Sequence, residues 1–161
     1  MRISFILNGE DVQVTVAAET RLIDILRGFF ELTENKVSCR TGNCGICSVL
    51  LDDKVVKACL VPAFKIRGSE VITAEGFAQT NEYKDISRAF SEAKVESCGF
   101  CDSAMILTIE GLLSKNRRPS PEEILRGLGG IKCRCTDPKA LVRAVLAAVE
   151  FRRQRIYGRS N

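Results

Sequence analysis

The sequence contains no histidine. That removes the commonest general base and the usual nitrogen ligand for zinc, copper or non-haem iron, so any chemistry here falls to other groups. No stretch approaches the roughly 18 consecutive apolar residues of a membrane span. The opening residues Met1 to Gly9 also offer too little before a turn signal to form a secretory core of roughly 7 to 15 apolar residues. These absences predict no membrane partner and the cytoplasm as the default compartment. Internal repeats and low-complexity tracts are missing too. Charge of either sign is only mildly in excess, at +4. The surplus falls partly on Arg152, Arg153, Arg155 and Arg159, which read as a solvated helix end with cations suited to its dipole rather than as a surface for nucleic acid.

What the chain does have is eight cysteines in 161 residues. A reducing cytosol disfavours structural disulfides, so clustered thiols there point to metal ligation or redox chemistry. With 45% hydrophobic and 27% charged residues, the composition is that of a soluble globular chain. The length fits one ordinary domain or two small ones.

Periodicity divides the chain. Residues 2 to 7 and 11 to 16 flank Asn8-Gly9 and predict a β-hairpin. Thr20 can cap a helix over residues 21 to 30, whose Leu22, Ile23, Ile25, Leu26 and Phe29 supply an apolar face. Ser48 to Leu51 and Val55 to Ala58 suggest a second hairpin, and Glu70 to Ala74 a last strand. From about residue 76 the period becomes 3.6, predicting helices near 84–96, 102–115, 121–128 and 137–155. Ser120-Pro121-Glu122-Glu123 and Asp137-Pro138 are helix start signals. The expected fold class is α+β, with a sheet unit at 1–76 and a helical unit at 77–161.

The cysteines fall into two groups that match this division. Cys39, Cys44 and Cys47 form a C-x4-C-x2-C run with Cys59 further on, the plant-type spacing for a 2Fe-2S cluster. Gly42 and Gly45 lie between them, where the lack of a Cβ lets the backbone bend round an inorganic core and aim N–H groups at its sulfurs. A three-residue turn centred on Asp53 would pair residue 51 with 55 and make Cys47 and Cys59 cross-strand neighbours. A four-thiolate zinc site competes, although zinc modules usually show two short knuckles. A Cys47–Cys59 disulfide would leave Cys39 and Cys44 without a role.

The second group is Cys98-Gly99-Phe100-Cys101 with Cys133-Arg134-Cys135. Running the four helices up, down, up, down places the first and third connections, which carry these pairs, at the same end of the bundle. Helix starts at Asp102 and Asp137 then turn partial positive charge toward the thiolates. Gly99 joins Gly42 and Gly45 as a candidate cofactor-contacting glycine. By spacing alone, zinc stays open for this group.

Together the order C-x2-G-x-C-G-x-C, a lone Cys, C-G-F-C and C-R-C-T resembles the small iron-sulfur subunit of the molybdenum hydroxylases, over nearly the whole chain. The resemblance implies a ferredoxin-like β-grasp domain using Cys39, Cys44, Cys47 and Cys59, and a four-helix domain using Cys98, Cys101, Cys133 and Cys135. It further implies two 2Fe-2S clusters, a large molybdopterin-binding partner beside the helical cluster, and an FAD-binding medium subunit or other acceptor beside the ferredoxin-like one. No residue of this chain is implied as a catalytic acid, base or nucleophile. Some positions depart from the family pattern: Ser97 stands where a glutamine usually contacts the pterin, and Asp102-Ser103-Ala104 replaces Thr-Pro-Gly. Two rivals to the electron-relay reading are a stand-alone two-cluster carrier or regulator, and a zinc-binding module.

Overall fold

The structure, a computed structural model, describes residues 1–158; Arg159, among the cationic positions above, lies outside them. Five strands, β1 (Arg2–Leu7), β2 (Glu10–Thr15), β3 (Ser48–Leu51), β4 (Lys54–Lys57) and β5 (Glu70–Ile72), form one sheet in the order β2-β1-β5-β3-β4. β1 and β5 run parallel and the other pairs antiparallel. Helix α1 (Leu22–Gly28) lies on one face and buries Leu22, Ile23, Ile25 and Leu26 against Ile3, Phe5, Val49 and Val71. The hairpin at Asn8-Gly9 forms as predicted, with both turn residues left-handed at φ 52° and 85°. Thr20 does not cap α1. The chain at Arg21 is held extended by a bridge to Pro62, so the helix starts one residue later without a side-chain cap.

The second hairpin is tighter than expected. Asp52 and Asp53 both adopt left-handed backbone, at φ 48° and 62°, and close a two-residue turn that pairs Leu51 with Lys54. Asp52 can hold this conformation because its carboxylate accepts hydrogen bonds from Ser69 Oγ at 2.8 Å and Glu70 N at 2.9 Å. The register therefore shifts by one, Cys59 leaves the ladder, and residues Ala58–Leu60 form a 3₁₀ turn.

The other face of the sheet is covered as well, because alternate side chains on β3 and β5 serve different cores. Val49 and Val71 face α1, whereas Leu50 and Ile72 face the helices that follow. After a short α2 (Ala74–Phe77), these are α3 (Asn81–Glu92), α4 (Asp102–Lys115), α5 (Pro121–Leu128) and α6 (Pro138–Tyr157). Each packs on the next, and α6 closes on α3. α4 is the central element: it buries Met105, Leu107, Ile109 and Leu113, and it approaches β4 so closely that a Cβ at Gly111 would lie 2.2 Å from Val55 Cγ2. Ser120 and Glu123 form the predicted capping box of α5, and Asp137 caps α6. Among the described residues no helix is long and apolar enough to cross a membrane.

The arginines of α6 are not simply solvated. Arg152 pairs with Glu110 inside the bundle, and Arg155 donates to Asp85 at 2.9 Å and Glu82 at 2.8 Å. These pairs close α6 onto α4 and α3 at the end remote from the cysteines.

Candidate metal centres

The first cysteine group sits on the loop between α1 and β3. Gly42 and Gly45 have φ 76° and 72°, backbone that side-chain-bearing residues adopt only under strain. At Gly45 there is also no room: a Cβ would stand 2.3 Å from the carbonyl oxygen of Gly130. The tight loop turns main-chain N–H groups onto sulfur, with Cys44 N 3.3 Å and Thr41 N 3.4 Å from Cys39 Sγ. Hydrogen bonds from Thr41 and Cys44 hold the Cys39 thiol down to about 5, so it is a thiolate at neutral pH. Cys47 behaves oppositely: burial, together with the thiols of Cys59 and Cys44, pushes it up to about 11. Buried thiols kept protonated in this way become good ligands once a cation is present to compensate the charge.

The 3₁₀ turn delivers Cys59. Ala58 N donates to Cys47 O at 3.1 Å, which brings the next residue, Cys59, back beside Cys47 despite the shifted register. Two side chains unnoticed in the sequence brace the loop: Lys57 Nζ donates to Gly42 O at 2.5 Å and Arg21 Nη1 to Arg40 O at 3.0 Å. Asn35, fully buried, donates to Ser48 O at 2.5 Å and accepts from Ala74 N at 2.9 Å, tying β3 to the start of α2. Isolated polar residues such as these carry no periodic or spacing signal.

The second group gathers at one end of the bundle. Cys135 Sγ lies 3.5 Å from Cys98 Sγ and 3.6 Å from Cys133 Sγ. Cys101, at the start of α4, is buried; burial and the adjacent thiols of Cys133, Cys135 and Cys98 push it up to about 12. Burial works against the Cys133 thiolate too, but the Thr136 hydroxyl, 3.4 Å away, and the Cys135 contact hold it down to about 7. A backbone hydrogen bond at Cys98 favours the Cys135 thiolate, yet the neighbouring thiols outweigh it and its pKa stands raised. Gly99 turns the Cys98–Cys101 loop at φ 85°, with open space around it. Ser97 Oγ donates to Asp102 Oδ2 at 2.7 Å, so two of the departures from the family pattern pair with one another across this loop.

The two groups are joined directly. Lys132 N, one residue before Cys133, donates to Cys44 O at 2.9 Å, beside the Gly45–Gly130 contact. Cys98, Cys133 and Cys135 lie close together, yet among the described residues no three or more Cys, Asp or Glu side chains are arranged as a single-ion site would require. A dinuclear cluster divides its four thiolates into two pairs, one per iron, and so does not need that arrangement.

Residues 5–73 match the family model of the 2Fe-2S iron-sulfur cluster binding domain, and residues 73–146 match that of the [2Fe-2S] binding domain. Each region contains one of the two cysteine groups. The chain is 39% identical to the nicotinate dehydrogenase small FeS subunit of Eubacterium barkeri, across 89% of this chain and 92% of that one. The chain belongs to the small iron-sulfur subunits of the molybdenum hydroxylases. Within this family it is also 37% identical to a probable xanthine dehydrogenase subunit of Bacillus subtilis, covering 95% of this chain and 86% of the relative. The solved quinoline 2-oxidoreductase from Pseudomonas putida superposes with a TM-score of 0.87 at 32% identity, over 96% of both chains. The aldehyde oxidoreductase from Desulfovibrio gigas superposes with a TM-score of 0.88 at 34% identity, there as 17% of a longer chain. Membership makes this chain an electron-transfer subunit of an oxidoreductase, carrying two 2Fe-2S clusters and working with partner subunits.

Proposed function

We propose that Cys39, Cys44, Cys47 and Cys59 hold one 2Fe-2S cluster and that Cys98, Cys101, Cys133 and Cys135 hold the other, in units spanning residues 1–76 and 77–161. On this reading the helical-unit cluster receives electrons from the molybdopterin of a large subunit. The sheet-unit cluster delivers them to FAD on a medium subunit, in the cytoplasm. When bound, each cluster supplies one-electron redox capacity.

The residues of the chain bind, insulate and connect. Thr41 N and Cys44 N stabilise sulfur charge at Cys39, Thr136 does so at Cys133, and burial of Cys47 and Cys101 keeps water from the inner ligands. Gly42, Gly45 and Gly99 let the loops approach their cofactors. The observation that carries the reading is the hydrogen bond from Lys132 N to Cys44 O. It links a ligand of one group to the neighbour of a ligand of the other through main chain alone, the short, rigid connection that a two-centre relay needs.

Anaerobic purification with metal and sulfide analysis tests this assignment. About four irons and four acid-labile sulfides per chain are expected, with two distinguishable EPR signals on reduction. Cys47→Ser and Cys101→Ser should each remove a different signal. Zinc without sulfide in well-folded protein would refute the assignment.

A further inference from the structure

At the end of the bundle remote from the cysteines, α3, α4, α6 and the loop after α4 line a cavity of about 480 Å³. That volume lies within the range of roughly 300–1,000 Å³ usual for small-molecule sites. Leu113, buried, and Val149, partly buried, give it an apolar floor, and Ile156, 51% exposed, extends that floor toward solvent. The charges around it do not cancel. Arg117, Arg118, Arg152 and Arg153 face only Glu82 and Glu110, an excess of two positive charges in the lining. Just outside it, Arg155 on Glu82 and Glu150 on Arg153 offset one another. The C-terminal ends of α4 and α6 also arrive here, each worth about half a negative charge, so about one positive charge is left over. Arg117 and Arg118 carry it. Among the described residues no carboxylate pairs with either, and Arg117 Nη1 donates to Tyr157 Oη at 3.4 Å. Arg152 in the wall spends both Nη atoms on Glu110, and its Nε, closed to solvent, has no partner among the described residues.

We propose that this cavity binds a small amphipathic carboxylate, its aliphatic or aromatic body on Leu113, Val149 and Ile156 and its carboxylate on the Arg117 and Arg118 guanidiniums. A guanidinium offers paired N–H donors that match the two oxygens of a carboxylate. An inorganic anion would leave the apolar floor uncovered, and a neutral hydrocarbon would leave the guanidiniums unmet. One residual positive charge selects a monoanion. The inference goes beyond the relay reading and does not depend on it, because no cysteine lines the cavity.

Titration calorimetry of the full chain, purified anaerobically, tests this with hexanoate for the aliphatic class and benzoate for the aromatic one. At least one should bind with Kd below about 2 mM, and hexan-1-ol, hexylammonium and inorganic phosphate should each bind at least about tenfold more weakly. Arg117→Gln with Arg118→Gln changes two exposed side chains and should weaken the carboxylate at least about tenfold while leaving hexan-1-ol unchanged. Raising salt from about 0.05 to about 0.5 M should weaken the carboxylate alone, which keeps the test decisive if the double variant unfolds. The proposal is overturned if neither carboxylate reaches about 2 mM, if hexan-1-ol binds as tightly, or if a folded double variant binds like wild type. The same titration on the assembled complex separates a small-molecule site from a protein seat. Unchanged affinity there supports the site, whereas loss of carboxylate binding means that an acidic segment of a partner subunit fills the cavity, and the proposal fails. Iron and sulfide contents, which decide the cluster assignment, enter none of these outcomes.

Discussion

Gly45 is where the two cysteine loops press together, and Gly45→Ala is the most informative single change. Two effects add. A left-handed residue with a Cβ costs about 1–2 kcal/mol. The new Cβ would also meet three backbone atoms, Gly130 O at 2.3 Å, Gly130 C at 3.0 Å and Ile131 Cα at 3.2 Å, none of which can rotate away. Forcing such a contact costs a further ~1–3 kcal/mol. The sum, about 2–5 kcal/mol, corresponds to a fall of roughly 4–20 °C in Tm for a chain of this size. Gly68→Ala is the control: Gly68 has φ 70° but nothing within 4 Å of the added Cβ, so only the strain of about 1–2 kcal/mol applies. Thermal unfolding of both cluster-loaded variants separates contact from strain, and hydrogen exchange at Lys132 N–H gives a second readout. That amide bonds Cys44 O and should exchange faster in Gly45→Ala but not in Gly68→Ala. Equal destabilisation of the two variants, with Lys132 still protected, would refute the close junction between the loops.

Three further outcomes are expected. Asn35→Leu leaves Ser48 O and Ala74 N without their partner and should destabilise the chain by about 2–4 kcal/mol in denaturant titration; a loss below about 1 kcal/mol would mean water replaces the amide. Arg152→Met strands the Glu110 carboxylate, whose side chain is 11% exposed, and should cost about 3–5 kcal/mol, whereas Arg152→Met with Glu110→Leu should recover most of it. The third concerns pH. Burial works to raise the Glu82 carboxyl, but main-chain hydrogen bonding at the start of α3 and the Arg155 guanidinium outweigh it and hold the pKa below its ordinary 4.5. A depressed carboxyl contributes stability that is complete above the ordinary value and is lost as pH falls through the folded one. Arg155→Gln should therefore lower stability at neutral pH and shrink its decline below pH 4.5, and an unchanged acid limb in the denaturant midpoint would contradict the pairing.

Much of this protein was written in local pattern. The Asn8-Gly9 hairpin, the capping box at Ser120 and the Asp137-Pro138 start rest on interactions within four residues, so the sequence contains both partners. The cysteine spacings are of the same kind, since on the ligand assignment proposed above the geometry round a small inorganic core limits the chain between ligands to a few lengths. The spacings did not fix the path of Cys59. A one-residue change in turn length moved it off the ladder, and that change depends on Asp52 being held by Ser69 and Glu70 at the entry to β5. Only the tertiary structure decided that β3 is buried on both faces, that Asn35 pins β3 to α2, and that the α6 arginines close on acids of α3 and α4. The junction of Cys44 with Lys132 belongs with these. Each joins groups far apart in the chain, and a contact of that kind exists only after the sheet and the helices have packed.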